Sequence, residues 1–405
     1  MATAASCCGV NAVSSSAAST AVRGKSVGSQ INCASVISIP VTSFGLALAS
    51  TAAVDLGSSG LPPLPRGKKS LGYGVQKRGV RIDAAVSSTK EASKVQPKQW
   101  TWTHKGSPIK INAVEFVTPG STPTQTILML PTISDVSTTE EWDAVAEKLL
   151  SKSNASYQIV CVDWPGLGLS DRPAIDYTAD LYEQFLVDFV SANDGPLGSL
   201  AGPLVIVGGG HAATIAARAV SKGLLDAAAV ALVAPTWAGP LPIVFGRDDT
   251  METRYGLLRN TLNSPGVGWA MYKYMVSSPK NIRLQYLTHV YAEADNVTPS
   301  VVEKRTALTQ REGARFAPSA FLTGLLDPTR SREEFVGLFA NLEGKVPTLV
   351  MSSTKSPKRS KAEMEALEGA KGITKFVRVP GALLPQEEYP DAVSEELVAF
   401  LQSLH

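Results

Sequence analysis

The run Val205-Ile206-Val207-Gly208-Gly209-Gly210-His211-Ala212-Ala213-Thr214-Ile215-Ala216-Ala217 passes from an apolar strand through three glycines into a helix of small residues. That is the build of a nucleophile elbow, where a reactive side chain sits on a sharp strand-to-helix turn and its neighbours must be small so that strand and helix can approach. Gly208, Ala212 and Ala213 meet that steric demand. Aligned on the pattern Gly-x-Ser-x-Gly, with Gly208 as the first glycine and Ala212 at the last, Gly210 stands where the serine would be. Glycine offers no nucleophile, and it adopts positive φ at little cost, so the turn is expected to keep its shape without its chemistry. The plainer alternatives for the same run are a phosphate-binding loop or close packing.

Composition narrows the classes. The 405 residues are 44% hydrophobic and 18% charged with a net charge of +2, which suits a globular chain with a large core and gives no electrostatic reason to expect nucleic acid. The single basic cluster, Lys355-Ser356-Pro357-Lys358-Arg359-Ser360-Lys361, reads as a solvated loop and helix start.

Residues 1–85 are a different material, rich in Ser, Ala, Val and Gly, basic at Arg23, Lys25, Arg66, Lys68, Lys69, Lys77, Arg78 and Arg81, and free of acid until Asp55. They resemble a chloroplast transit peptide ending near Val80-Arg81-Ile82-Asp83-Ala84-Ala85, which implies a stromal protein with thylakoid association left open. Within them Val36 to Val54 is apolar, but Pro40 interrupts it and Ser and Thr dilute it, so no membrane span is expected in the mature chain. Cys7, Cys8 and Cys33 leave with this peptide. Cys161 then stands alone in an apolar strand, which excludes an internal disulfide or a cysteine zinc site. No motif for a metal or an organic cofactor is present.

After a polar linker over 86–98, hydrophobic periodicity sets a regular order. Trp100 to Thr103 and Ile109 to Val117 alternate with a period of two, as antiparallel strands with one wet face do. Strands at Ile127 to Leu130, Ile159 to Val162, Leu204 to Val207 and Ala228 to Val233 then alternate with helices at Glu140 to Leu150, Leu181 to Val190 and Ala212 to Val220. This βαβ order predicts a mainly parallel sheet covered on both faces. The rhythm breaks over 240–344, a helical and loop-rich block carrying Tyr255, Trp269, Tyr272, Tyr274, Tyr286, Phe316 and Phe321. It resumes at Thr348 to Met351, Lys361 to Leu367, Phe376 to Val379 and Val393 to Leu404. A core over 99–239 and 345–405 with an inserted cap over 240–344 is the expected organisation, with Trp269, Tyr272, Tyr274, Tyr286 and Phe321 of the cap expected to enclose an apolar ligand.

Together these residues resemble the α/β-hydrolase superfamily, in its lid-bearing branch similar to haloalkane dehalogenases and epoxide hydrolases, from about Trp100 onward. Asp163-Trp164-Pro165-Gly166-Leu167-Gly168-Leu169-Ser170-Asp171 matches that family's D-x-P-G-x-G-x-S-D loop at the right distance before the elbow. Val346 to Met351 resembles its seventh strand, and Val379-Pro380-Gly381-Ala382, with Pro385, Glu387, Glu388 and Pro390, the segment that holds its catalytic histidine. The resemblance implies an eight-stranded, mainly parallel sheet flanked by helices, with a helical cap after the sixth strand. It also implies a nucleophile, a histidine base, an acid that orients the histidine and two backbone oxyanion donors.

Checked position by position, the chemistry is missing. Gly210 holds the nucleophile position, Ser356 the acid position after the seventh strand, and Leu383 or Leu384 the position of the base, where an apolar side chain cannot take a proton. Ala234-Pro235-Thr236-Trp237-Ala238, after the sixth strand, offers no carboxylate either. In the oxyanion loop Leu130-Pro131-Thr132-Ile133-Ser134 replaces the family's His-Gly. Backbone N–H donors at His211 and near Ile133 survive such a change, so an anion or carbonyl could still be held there. His211, Ile133, Ser134 and Trp237 are therefore the candidate ligand-binding residues.

Two function classes follow. One is a non-catalytic pseudohydrolase that binds an apolar small molecule or a protein partner. The other is an active hydrolase, esterase or lyase on a small apolar or lipid-like ester, using His211 and a hydroxyl in a rearranged site, with Ser134, Ser352, Ser353 and Ser356 as the candidate hydroxyls. A hydroxyl and a carboxylate both within reach of His211 would favour the second; a His211 spent on packing would favour the first.

Overall fold

The structure is a computed structural model that describes residues 93–94 and 97–404, apart from 119, 154 and 199. The expectations for residues 1–85, the start of the linker, and Cys7, Cys8 and Cys33 lie outside the described residues.

A hairpin opens the fold. Strands β2 (Lys98–His104) and β3 (Ser107–Val117) pair antiparallel, Trp100 against Ile111 and Trp102 against Ile109. Lys105 and Gly106, both at positive φ, make the two-residue turn that matches the twist of such a pair. A two-residue strand, β1 (Ser93–Lys94), also pairs with β3, and this brings the sheet to nine strands. The remaining strands are β4 (Gln125–Leu130), β5 (Tyr157–Val162), β6 (Leu204–Gly209), β7 (Ala229–Val233), β8 (Thr348–Ser353) and β9 (Lys375–Val379). Their order across the sheet is β1-β3-β5-β4-β6-β7-β8-β9, with β2 on β3. Every pairing from β5 to β9 is parallel, as the strand–helix alternation predicts. Strands β4, β6, β7 and β8 are buried at every residue, which a parallel sheet covered on both faces requires.

The core helices are α1 (Asp143–Lys152), α2 (Ala179–Ser191) and α3 (Gly210–Ser221). Helix α1 is entered through a tighter 3-10 turn over Thr139–Trp142, so the helix expected from Glu140 begins properly at Asp143. The cap contributes α4 (Pro240–Phe245), α5 (Asp249–Asn263), α6 (Val267–Met271), α7 (Pro279–Gln285), α8 (Pro299–Thr309), α9 (Phe316–Leu322) and α10 (Arg332–Ala340). The chain closes with α11 (Lys358–Glu365), α12 (Pro385–Glu388) and α13 (Pro390–Gln402). Helix α11 starts three residues earlier than expected because Pro357 at its N-cap sets the entry.

Two apolar layers hold the sheet. On one face Phe185, Ile215 and Phe335 pack on Ile206, Leu128 and Val350; on the other Val145, Leu149, Leu397 and Phe400 pack on Ile127, Ile159 and Leu349. A third cluster, of Val136, Ile282, Tyr286, Tyr291, Val297, Val302 and Leu384, joins the cap to the core. Among the described residues no helix is long and apolar enough to cross a membrane.

Candidate functional site

The elbow has formed. Gly210 begins α3 at φ +54°, the left-handed conformation that a nucleophile would occupy under strain and that glycine adopts freely. A Cβ at Gly208 would lie 2.7 Å from Ala213 Cα and 2.8 Å from its nitrogen, so strand β6 and helix α3 touch backbone to backbone. The turn is a backbone form without a side chain to act.

His211, the next residue, is only 1% exposed. Its Nδ1 is hydrogen-bonded to Thr236 Oγ1 at 2.6 Å, and its Nε2 lies 3.3 Å from Asp327 Oδ1. With Nε2–H donating to the Asp327 carboxyl oxygen, the neutral imidazole accepts from the Thr236 hydroxyl at Nδ1. A hydroxyl and a carboxylate therefore do flank His211, but neither is a residue that sequence reasoning selected. Thr236 follows β7 and is half-buried, with its Oγ1 3.6 Å from where a Gly210 Cβ would stand. Asp327 comes from the end of the cap, 116 residues from His211 along the chain, and no local motif marks it.

Asp327 is also committed elsewhere. The Gly239 N–H donates to the same Oδ1 at 2.9 Å, and Arg247 forms an ion pair with Oδ2 and continues to Glu252. Both partners belong to the entry of the cap. The imidazole edge packs against Phe321 at a ring separation of 4.9 Å. His211 thus ties the elbow helix to the cap, with a 3.3 Å bond that is long for N–H···O.

None of the serine hydroxyls expected to work with His211 bonds to it. Ser352 donates to Glu365 at 3.0 Å, Ser353 and Ser356 bond each other beside Met364, and Ser134 bonds Ser137 at 2.9 Å. Ser356 holds the acid position without any acid function. Trp237 is half-buried, donates to Glu363 at 3.1 Å and lies near Phe335, while Ile133 is buried in the core. No hydrogen bond or ring contact joins the four expected ligand residues to one another; of the four, His211 alone bonds within the elbow's polar cluster.

Around the oxyanion loop a carboxylate has moved in. Glu141 accepts from the Thr132 N–H at 2.9 Å, from the Thr132 hydroxyl at 2.9 Å and from Gln386 Nε2 at 3.2 Å. Burial, reinforced by Glu387, pushes its carboxyl up to about 7, with Thr132 and Arg305 opposing. A Cβ at Gly209 would meet Thr132 Cγ2 at 2.8 Å and Gln386 Nε2 at 2.9 Å, so these side chains fill the floor of the site. The base loop is sealed as well: the Leu383 and Leu384 N–H groups both donate to Val290 O of the cap, at 3.1 and 3.3 Å. Leu384 completes the apolar cluster that joins the cap to the core.

The cap aromatics divide into two groups. Trp269 and Tyr274 point to solvent, 49% and 71% exposed, and so do not line an interior as expected. Tyr272 and Tyr286 are buried, and each opens a wide π-helical turn, Tyr272–Val276 and Tyr286–Val290. Tyr274 lies two residues after Tyr272, which places them on opposite sides of the same helical turn.

Asp163, from the Pro-Gly loop, is a structural hub. Its carboxylate accepts from Asn112 Nδ2 and from the Leu169 and Thr139 N–H groups, all at 2.8–2.9 Å, while burial pushes its carboxyl up to about 6. Two cavities lie away from the elbow. One of about 340 Å³ opens among Pro203, Ala228, Pro347 and Thr374, which precede the strands, so it sits at the end opposite the elbow. The other, of about 290 Å³, lies beside Glu140, Lys304, Arg305 and Glu387. Among the described residues no three His, Cys, Asp or Glu side chains gather as a metal would require.

Residues 127–396 match the sequence model described as the alpha/beta hydrolase family. No curated protein matches the chain in sequence. Similar solved structures include a thermophilic esterase from Thermogutta terrifontis with malate bound, at 17% identity and TM-score 0.53 over 77% of this chain and 100% of the esterase. The haloalkane dehalogenase DatA from Agrobacterium tumefaciens C58 is similar at 16% identity and TM-score 0.53 over 76% and 97%. A serine hydrolase involved in carbazole degradation, the CarC enzyme, is similar at 16% identity and TM-score 0.50 over 76% and 100%. At these identities the likeness is one of fold.

Proposed function

The chain belongs to the alpha/beta hydrolase family, and we propose that it is a non-catalytic member, a plastid pseudohydrolase that holds a small molecule between cap and core. The observation that carries this reading is the joint replacement at the site. Gly210 keeps the elbow's φ but has no hydroxyl, and Leu383 stands at the base position with its N–H bonded to the cap. The Thr132 N–H, close to the oxyanion donors, is taken by the Glu141 carboxyl. A negative or half-protonated carboxyl there opposes a developing oxyanion, where catalysis needs donors free to receive it. Restoring one residue would not restore the reaction, because nucleophile, base and oxyanion stabilisation fail separately.

One observation favours a second reading. Thr236, His211 and Asp327 form a hydroxyl–imidazole–carboxylate chain of the kind that activates a nucleophile, and this supports an active hydrolase working from Thr236. Against it stand the burial of His211, the ion pair between Asp327 and Arg247, and the second claim on Asp327 Oδ1 by the Gly239 N–H. These are the marks of a cross-brace between core and cap.

Turnover of short-chain and medium-chain p-nitrophenyl esters by the purified protein, alongside Thr236→Val, separates the two. The non-catalytic reading expects wild type and variant to be equally at background. Ester hydrolysis by the wild type that Thr236→Val abolishes would establish the second reading in its place.

A further inference from the structure

Burying a polar group without a partner destabilises the fold, a charged one more so, and unpaired polar atoms gathered at one place mark a site that something else completes. Arg172 follows the Pro-Gly loop and is 7% exposed. Its Nη2 donates to Gly168 O at 2.7 Å, but Nε and Nη1 have no partner. Tyr272, at the start of the first wide turn of the cap, is 6% exposed with its hydroxyl unpartnered. Asp135 lies in the loop after β4, one residue past Ser134, and its Oδ2 is unpartnered too.

The three side chains come from three segments, the oxyanion loop, the Pro-Gly loop and the cap, and lie near enough that the Arg172 charge bears on Asp135 and on Tyr272, and that of Asp135 on Tyr272. The Arg172 backbone is held by the cap. Gly313 of the cap packs so tightly on Arg172 that a Cβ there would lie 2.1 Å from Arg172 O, and Arg311 donates to Leu169 O at 3.1 Å. The cap is therefore closed onto the Arg172 backbone, and the guanidinium itself is held at one end by Gly168 O. Three of the unpaired atoms, Arg172 Nε and Nη1 and the Tyr272 hydroxyl, carry protons to donate, which suits an acceptor-only group.

We propose that Arg172 and Tyr272, with Asp135 at its rim, form a subsite under the cap for the oxyanion group, carboxylate or phosphate, of a small amphiphilic molecule. This rests on the ligand-holding reading above and gives it a chemical class. Arg172 and Tyr272 donate to the oxyanion. Asp135 faces it as a like charge when ionised and so limits its affinity.

Isothermal titration of the full chain with octanoate, octyl phosphate and 1-octanol tests the assignment. Binding of octanoate or octyl phosphate, and none of octanol, is expected; which of the two binds more tightly identifies carboxylate or phosphate as the group. Tyr272→Phe should weaken that binding about tenfold, and Arg172→Met should remove it. Asp135→Asn should tighten it several-fold, an effect that a merely structural cluster would not show. No binding of either anion, equal binding of octanol, or anion affinities unmoved by Tyr272→Phe and Asp135→Asn would overturn the subsite, with the cluster then holding water alone. Such a failure leaves the ester assay untouched, so it is distinct from a failure of the non-catalytic reading.

Discussion

Gly210 and Gly208 show how two glycines in one turn are needed for different physical reasons. At Gly210 the constraint is backbone conformation: φ is +54°, yet the nearest atoms to an added Cβ are Thr132 Cγ2 at 3.4 Å and Thr236 Oγ1 at 3.6 Å, so there is nearly enough room. Gly210→Ser should fold, lose about 1 kcal/mol to the left-handed conformation, and gain no esterase activity because Leu383 is no base. At Gly208 the obstacle is the Ala213 backbone, which cannot yield without separating β6 from α3. Gly208→Ala should therefore cost more than Gly210→Ser, about 3 kcal/mol. Urea denaturation of the two variants checks the order; a Gly210→Ser more costly than Gly208→Ala would mean that the turn is not held as described.

Between elements, His211 of α3 reaches the cap through Asp327, which carries the link on to Gly239 and Arg247. His211→Ala leaves the Thr236 hydroxyl without its acceptor and strips one donor from the buried Asp327, while Arg247 and Gly239 remain. The expected loss is about 2 kcal/mol. Hydrogen exchange should rise at 239–263 in this variant and stay unchanged in β4 to β7; uniform loosening of the whole sheet would refute a local brace. This level also marks the limit of the sequence. The strand–helix order was readable because parallel strands buried on both faces must be apolar throughout, and the elbow because a close strand–helix approach demands small residues. Thr236 and Asp327 were not readable. Their meeting with His211 depends on how the cap returns to the core, and neither lies in a pattern that periodicity or spacing reveals. The turning outward of Trp269 and Tyr274 escaped for a related reason, since composition shows that a cap is aromatic but not which rings its packing on the core covers.

Across the whole molecule the buried carboxyls give the fold a characteristic response to pH. Burial raises Glu141 to about 7, and Asp135 and Asp163 to about 6, so each binds its proton more tightly when folded than when unfolded. Their stabilising effect is complete below their unfolded values and is lost as pH rises through the folded ones. Half-buried His289, lowered to about 4 by desolvation, works the other way: it favours the fold above its ordinary value, and that gain is lost as pH falls toward 4. The two trends oppose each other in the wild type, so a difference isolates one of them. Relative to wild type, Glu141→Gln should gain stability as pH rises from about 5 to about 7, by on the order of 2–3 kcal/mol. Chemical denaturation at both pH values reads this directly, and a variant-to-wild-type difference that is constant with pH would show that Glu141 is not held protonated by its burial.

The claim on which the rest depends is that this hydrolase fold contains no activated nucleophile, and a fluorophosphonate probe asks that of every hydroxyl at once. Intact-mass spectrometry of the purified protein after prolonged exposure to the probe should show the unmodified mass, because Gly210 has no hydroxyl and the Thr236–His211–Asp327 chain serves as a brace. A stoichiometric adduct mapped to Thr236, or to any serine, would contradict the account and make this chain an enzyme.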